Sequence, residues 1–147
     1  INDGSAALGF TVFSICMFAM RLMGDRISFK FGPSKTARYS GLVALIGSII
    51  LLTFESFFPL LIGFGLIGLG IAVIIPLAFS RAGNDKNISQ GVAIASIATL
   101  GYGGMLIGPL FIGFIAQATS IKTSFLIFPI LAFLIFALSK HLSIKSL

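Results

Sequence analysis

One short stretch of the sequence, residues 21–33, is dense in charged side chains. It holds Arg21, Asp25, Arg26 and Lys30, whereas charged residues make up only 10% of the 147 positions of the chain. An apolar run lies on either side of this stretch. Because the short cytoplasmic loops of membrane proteins collect Lys and Arg, the pattern predicts a cytoplasmic turn between two transmembrane helices.

The sequence contains no set of residues typical of an enzyme. HExxH, GxSxG, P-loop and paired-carboxylate motifs do not occur. Cys16 is the single cysteine, which excludes an internal disulfide and any Cys-based metal site. His141 lies in the basic tail, where a solvated side chain is expected. We therefore predict that the protein is not an enzyme and has no catalytic residue, metal or cofactor.

The acidic residues all fall at the ends of apolar runs or between them: Asp3, Asp25, Glu55 and Asp85. Ionisable groups at the middle of a membrane span mark proton relays and ion pathways. This chain offers no such group, so a residue that couples transport to an ion is not predicted here.

The composition indicates a membrane protein. Hydrophobic residues make up 57% and charged residues 10% of the chain, against about 45–50% and about 25% in an average soluble domain. The net charge of +6 is not clustered on one face together with stacking aromatic residues, as nucleic-acid binding would require. We therefore exclude nucleic acid as a partner and attribute the positive charge to membrane topology.

Five apolar runs are long enough to cross a bilayer, which takes roughly 17–25 residues. They predict transmembrane helices over about residues 5–23, 37–54, 60–80, 90–117 and 123–139. The basic residues then divide unequally: Lys122 lies on one side of the membrane, and the other side carries Arg21, Arg26, Lys30, Lys35, Arg38, Arg81, Lys86, Lys140 and Lys145. The positive side is predicted to be cytoplasmic.

This topology places the N-terminus outside and the C-terminus in the cytoplasm. The sequence begins outside without a basic region and short apolar core typical of a signal peptide. It therefore predicts that an upstream span is missing and that the chain is a fragment of a longer protein.

Glycine and proline residues interrupt the third and fourth runs. The third run contains Pro76, and the fourth contains Gly104, Gly108, Pro109 and Gly113. A proline inside a helix removes a backbone hydrogen bond and bends the helix. Small residues spaced in this way also allow two membrane helices to pack closely. Both interpretations, a bend and close packing, remain open for these residues.

These features occur in an order that resembles the last five helices of a major facilitator superfamily transporter. The family has a loop motif of glycine, three residues, aspartate–arginine, one residue, glycine and two basic residues. Asp25 and Arg26 match its aspartate–arginine, but Arg21 stands where the glycine is expected, and Lys30 and Gly32 come late. The segment 104–113 is similar to a glycine–proline pattern of the family, and 69–76 looks typical of its tenth helix. The departures are those expected of the motif copy in the second half.

The resemblance implies an all-α integral membrane protein in which residues 1–147 form five transmembrane helices of a twelve-helix fold. It implies transport of a small solute by two halves that rock around a central site. The cytoplasmic gate would then contain Arg21, Gly24, Asp25, Arg26 and Lys30. The alternative for these residues is that they only end the helix and face water.

The resemblance also implies that the eighth, tenth and eleventh helices border the solute cavity. On the fourth run, Ser96, Thr99 and Tyr102 recur every three residues, and Thr11 and Ser14 do so on the first. These five are the candidate substrate-facing residues. Hydroxyl side chains also bond between helices, at about 0.6 kcal/mol each, so this role is open.

The partners expected from the sequence are a small-molecule solute, the lipid bilayer and a missing N-terminal half of the same transporter. The expected location is the cell membrane, the inner membrane of a bacterium, as a multi-pass protein. The competing function is that of a non-transporting membrane scaffold or assembly subunit. Such a protein would need the apolar spans but not the charged motif or the glycine–proline segment.

Overall fold

The computed structural model describes residues 3–84 and 86–142. The elements in chain order are α1 (Asp3–Phe31), α2 (Pro33–Thr53), α3 (Phe57–Ile71), α4 (Ile74–Gly83), α5 (Gln90–Ala118), α6 (Ile121–Ser124), α7 (Ile127–Leu138) and a 3₁₀ turn (Ser139–Leu142). All regular elements of this described part are helical, which confirms the all-α prediction. Asp85 and Lys145, which entered the charge argument, lie outside the described residues.

Within the described residues, five helical segments are long and apolar enough to cross a membrane: Ala7–Phe31, Pro33–Thr53, Phe57–Gly83, Gln90–Ala118 and Ile121–His141. The predicted number of spans is therefore confirmed. The third segment contains α3 and α4, and the fifth contains α6 and α7. Internal contacts divide the chain into two compact units, residues 1–74 with 126–147 (unit 1) and residues 75–125 (unit 2).

The structure differs from the predicted turn over residues 21–33, because α1 continues through the charged stretch to Phe31. The two arginines, the lysine, Leu22 and Met23 of this stretch are good helix formers, and the first glycine–proline pair, which stops a helix, is Gly32–Pro33. Gly32 has a φ of 84°, a conformation that glycine adopts without a steric penalty. Pro33 then occupies the first turn of α2, where its missing N–H costs nothing.

Small residues hold the helices of unit 1 close together. The buried residues of α2 are all small: Thr36, Ala37, Ser40, Gly41, Ala44, Gly47 and Ser48. A Cβ placed on Gly70 of α3 would lie 2.6 Å from the Ala44 nitrogen of α2, and one on Gly68 would overlap the Phe13 carbonyl of α1. Backbones that approach this closely gain van der Waals contact, which drives helix association in lipid.

The third segment is interrupted at Ala72 and Val73, which lie between the end of α3 and the start of α4. Pro76 follows closely, and because proline has no N–H it cannot donate to the carbonyl of Ala72. A missing bond at this place accounts for the break. Both Ala72 and Val73 are buried, so the irregular backbone is enclosed by protein atoms.

Unit 2 contains the long helix α5, against which the short α6 packs. Ser89 stands at the N-cap position of α5, but its side chain makes no capping bond. Ser120 does cap α6, since its Oγ accepts from the Thr123 N–H at 3.1 Å. The backbone of α5 remains helical through Pro109, so this proline, unlike Pro76, does not follow an interruption.

Candidate solute site and cytoplasmic gate

The charged residues of the predicted gate lie along the last turns of α1. Arg21, Asp25, Arg26 and Lys30 are all exposed in unit 1. Arg21 and Asp25 are four residues apart, as are Arg26 and Lys30, so each pair occupies one strip of the helix surface. The helical backbone therefore presents opposite charges on one strip and two positive charges on the next.

Gly24 differs from the other gate residues because it is buried. A Cβ on Gly24 would lie 2.5 Å from Cγ1 of Val73, a separation that real Cβ atoms essentially never show. The gate segment of α1 thus packs directly against the interruption that follows α3. This contact was not anticipated from the sequence, where Gly24 counted only as a member of the loop motif.

The N-terminal part of α2 is joined to the C-terminal helix of the same unit. The Ser34 hydroxyl donates to the Ser139 carbonyl at 2.7 Å, and the Arg38 guanidinium lies 5.0 Å from the centre of the Phe136 ring. A Cβ on Gly41 would lie 2.9 Å from the Phe136 nitrogen. These contacts fasten α2 to α7 and the 3₁₀ turn after it.

Sequence reasoning did not find the Ser34–Ser139 bond. The two residues are 105 positions apart, and the acceptor is a backbone carbonyl that any residue would supply. No side-chain pattern could therefore have indicated it. Arg38 was counted only as a topological charge, although an arginine over an aromatic ring also forms a cation–π contact.

Three of the five candidate solute-facing hydroxyls bond to their own helix. Thr11 donates to the Ala7 carbonyl at 2.8 Å, and in α5 Ser96 and Thr99 donate to the carbonyls four residues earlier, each at 2.8 Å. Each oxygen still has lone pairs with which to accept. The side chains of Ser96 and Thr99 are exposed within unit 2, and they therefore remain available as acceptors.

Tyr102 and Ser14 complete the candidate set. Tyr102 follows Ser96 and Thr99 along α5, and 71% of its surface is exposed. Its phenol can both donate and accept. Ser14 lies on α1 in unit 1 and is half-buried. The structure thus groups Ser96, Thr99 and Tyr102 on one helix of unit 2, and Thr11 and Ser14 on one helix of unit 1.

The glycines of α5 contact no neighbour in the described part of the chain. A Cβ on Gly104, Gly108 or Gly113 would meet no described atom within 4 Å. This contrasts with glycines inside the helices of unit 1, such as Gly41, Gly47 and Gly70, which lie against backbone atoms of another helix. The bend and packing roles of Gly104, Gly108, Pro109 and Gly113 therefore remain predictions.

Comparison with known proteins identifies the family. The family model of the Major Facilitator Superfamily matches residues 1–143. The chain is 39% identical over 138 residues to the uncharacterised transporter y4wD of Sinorhizobium fredii. The aligned residues cover 94% of this chain and 37% of that protein. It is 40% identical over 125 residues to an uncharacterised MFS-type transporter of Yersinia pestis, covering 85% of this chain and 33% of that protein.

A third relative is the membrane protein MosC of Rhizobium meliloti, 35% identical over 126 residues, which cover 86% of this chain and 31% of that protein. The chain thus spans about a third of the length of the curated relatives it matches. No solved structure matches it. The chain belongs to the major facilitator superfamily, as its motifs predict, and is part of a multi-pass membrane protein.

Proposed function

We propose that this chain forms the last five helices of a transporter that moves a small solute across a membrane by alternating access. The observation that carries the proposal is the family match over residues 1–143. In this family, two halves built of inverted repeats rock around a site near the membrane midplane. An upstream half of the same protein would supply the other side of that site. The proposal includes no catalytic step.

The packing of unit 1 suits a body that moves as a whole. Its helices meet through contacts such as Gly70 against Ala44 and Gly41 against Phe136, where no side chain separates the backbones. Close-packed interfaces are bistable rather than continuously deformable. A rocking movement would therefore displace α1, α2, α3 and α7 together.

The charged end of α1 would act as the gate. In the proposed mechanism, Asp25 and Arg26 make charge contacts that hold the cytoplasmic side closed while the site faces outward. Gly24 would hold these charges in place, since its contact with Val73 fixes the height and rotation of α1. Arg21 and Lys30 extend the charged surface by one turn on either side.

The distribution of basic residues supports a membrane orientation. The described side chains Arg26, Lys30, Lys35 and Arg38 flank the single-residue break at Gly32, and positive connectors stay in the cytoplasm. We accordingly place the α1–α2 break and the C-terminus inside, the chain's N-terminus outside, and the protein in the cell membrane, the inner membrane of a bacterium.

The solute would contact the hydroxyl face of α5. Ser96 and Thr99 already use their hydroxyl protons on carbonyls of α5, so they offer acceptors, while Tyr102 can donate or accept. A neutral solute with several hydroxyl or amine donors suits this face best. Thr11 and Ser14 of α1 are the further candidates in unit 1.

Uptake into vesicles tests the proposal. The full-length protein, reconstituted into liposomes, is given a panel of labelled polar solutes with and without a proton gradient. We expect at least one solute to accumulate above protein-free liposomes, and this chain alone to transport none, because the site lies between two halves. Failure of the full-length protein with every solute would refute transport and favour a scaffold. Transport by this chain alone would refute the two-half architecture.

A further inference from the structure

A crevice of about 210 Å³ lies between the cytoplasmic ends of the first three helices, within unit 1. α1 contributes Met20, Ile27 and Phe31, α2 contributes Tyr39 and Val43, and α3 contributes Leu69. The crevice is open on one side, and Tyr39 and Phe31 are exposed by 63% and 52%. Its volume is below the roughly 300–1,000 Å³ of pockets that enclose a drug-sized ligand.

The chemistry of the lining favours hydrocarbon over a polar solute. Nearly all the atoms that face the crevice are carbon. Thr36 and Ser40 also line it, and the Thr36 hydroxyl already donates to the Gly32 carbonyl at 2.8 Å. A polar ligand entering here would lose more hydrogen bonds to water than two hydroxyl groups can replace, which costs free energy. An apolar chain faces no such penalty.

The charge beside the crevice is positive. The Lys30 ammonium lies 5.6 Å from the centre of the Phe31 ring, which lines the crevice. Lys35 is exposed and stands four residues before Tyr39 on α2, on the same strip of the helix. Arg38 is directed toward the Phe136 ring of α7. Two ammonium groups are therefore available near one apolar opening.

We propose that the crevice holds a segment of one acyl chain of an anionic phospholipid, whose phosphate is bound by Lys30 and Lys35. Basic pockets between membrane helices on the cytoplasmic side bind anionic headgroups. The crevice has the volume of about seven water molecules, at about 30 Å³ each, and therefore admits several methylene groups. The crevice residues include none of the candidate solute-facing hydroxyls, and the proposal requires membrane insertion but no transport activity.

Lipid binding to the full-length protein in detergent tests this directly. Native mass spectrometry during titration with phosphatidylglycerol and with phosphatidylcholine, without solute, gives the affinity of each lipid. We expect tighter binding of phosphatidylglycerol. Val43→Phe, which fills the crevice, should abolish that preference, whereas Ile46→Phe, one turn further along α2 and 52% exposed, should keep it.

A charge substitution provides the second measurement and does not depend on repacking. Lys35 is exposed, so Lys35→Gln leaves the fold intact. It should weaken phosphatidylglycerol binding about fivefold, because a basic residue near an anionic lipid contributes roughly 1 kcal/mol. The affinity for phosphatidylcholine should not change. Lys86→Gln, in the exposed connector before α5, is the matched control and should change neither.

Equal affinity for the two lipids in the parent protein would overturn the proposal. So would unchanged phosphatidylglycerol binding in both Val43→Phe and Lys35→Gln. Because no solute is present, these results stand whether or not the protein proves to be a transporter.

Discussion

Replacing Gly70 with alanine is the sharpest test of how unit 1 is packed. The new Cβ would lie 2.6 Å from both the Ala44 nitrogen and the Ser40 carbonyl oxygen, whereas ordinary van der Waals contact begins at 3.4 Å. These are backbone atoms, which cannot rotate away as a flexible side chain can. The helices α2 and α3 would therefore have to separate by about 0.8 Å.

Overpacking of this kind costs typically about 1–3 kcal/mol. Alanine in place of glycine also favours a helix by roughly 1 kcal/mol, and this gain would hide part of the loss. Gly91→Ala is the control, because it also replaces a helical glycine and its Cβ would meet no described atom within 4 Å. The difference in stability between the two variants isolates the packing term.

The assay is thermal unfolding of the purified full-length protein in detergent, followed by the loss of the monodisperse peak in size-exclusion chromatography. We expect Gly70→Ala to melt well below the parent and Gly91→Ala at or above it. If Gly70→Ala were as stable as Gly91→Ala, the close approach of α2 and α3 would be wrong.

Four further substitutions test the gate, the α2–α7 contact, the solute face and the proline of α5. Asp25→Asn should lower uptake at unchanged expression; normal uptake would remove Asp25 from the gate. Ser34→Ala should lower the free energy of unfolding by about 1 kcal/mol through loss of the bond to Ser139, and a melting temperature equal to the parent's would contradict this. Tyr102→Phe should raise KM for uptake and leave expression unchanged; an unaltered KM places Tyr102 outside the solute site. A Pro109→Ala protein that folds but transports slowly would support a hinge, whereas parental rates would support packing alone.

The spans could be predicted from the sequence because the bilayer imposes a simple rule. A segment must be apolar over its whole length, and the five runs meet this condition without knowledge of their neighbours. Helix boundaries depend on finer balances. The charged stretch predicts a turn, but arginine and lysine are good helix formers, and α1 continues to Phe31, before Gly32–Pro33.

The contacts between helices could not be predicted in the same way. Glycine, alanine and serine in α2 are compatible with a close partner helix, but they do not specify that α3 contacts Ala44 and α7 contacts Gly41. Which helices pack together depends on the surfaces that meet in three dimensions. A small residue shows that a neighbour can come close, but not which helix that neighbour belongs to. The gate and solute roles rest on the motif and on hydroxyl spacing, so they remain proposals for the assays above.

The contact between Gly24 and Val73 has a consequence for how the sequence can vary. Because the two residues share one small volume, the sizes at both positions are linked: a larger residue at position 24 is tolerated only with a smaller one at 73. Gly24→Ala should therefore be harmful alone and be rescued by Val73→Ala, whereas Val73→Ala alone leaves a gap. A size exchange of this kind would let the distance between the charged end of α1 and the break after α3 be adjusted without altering a single charge.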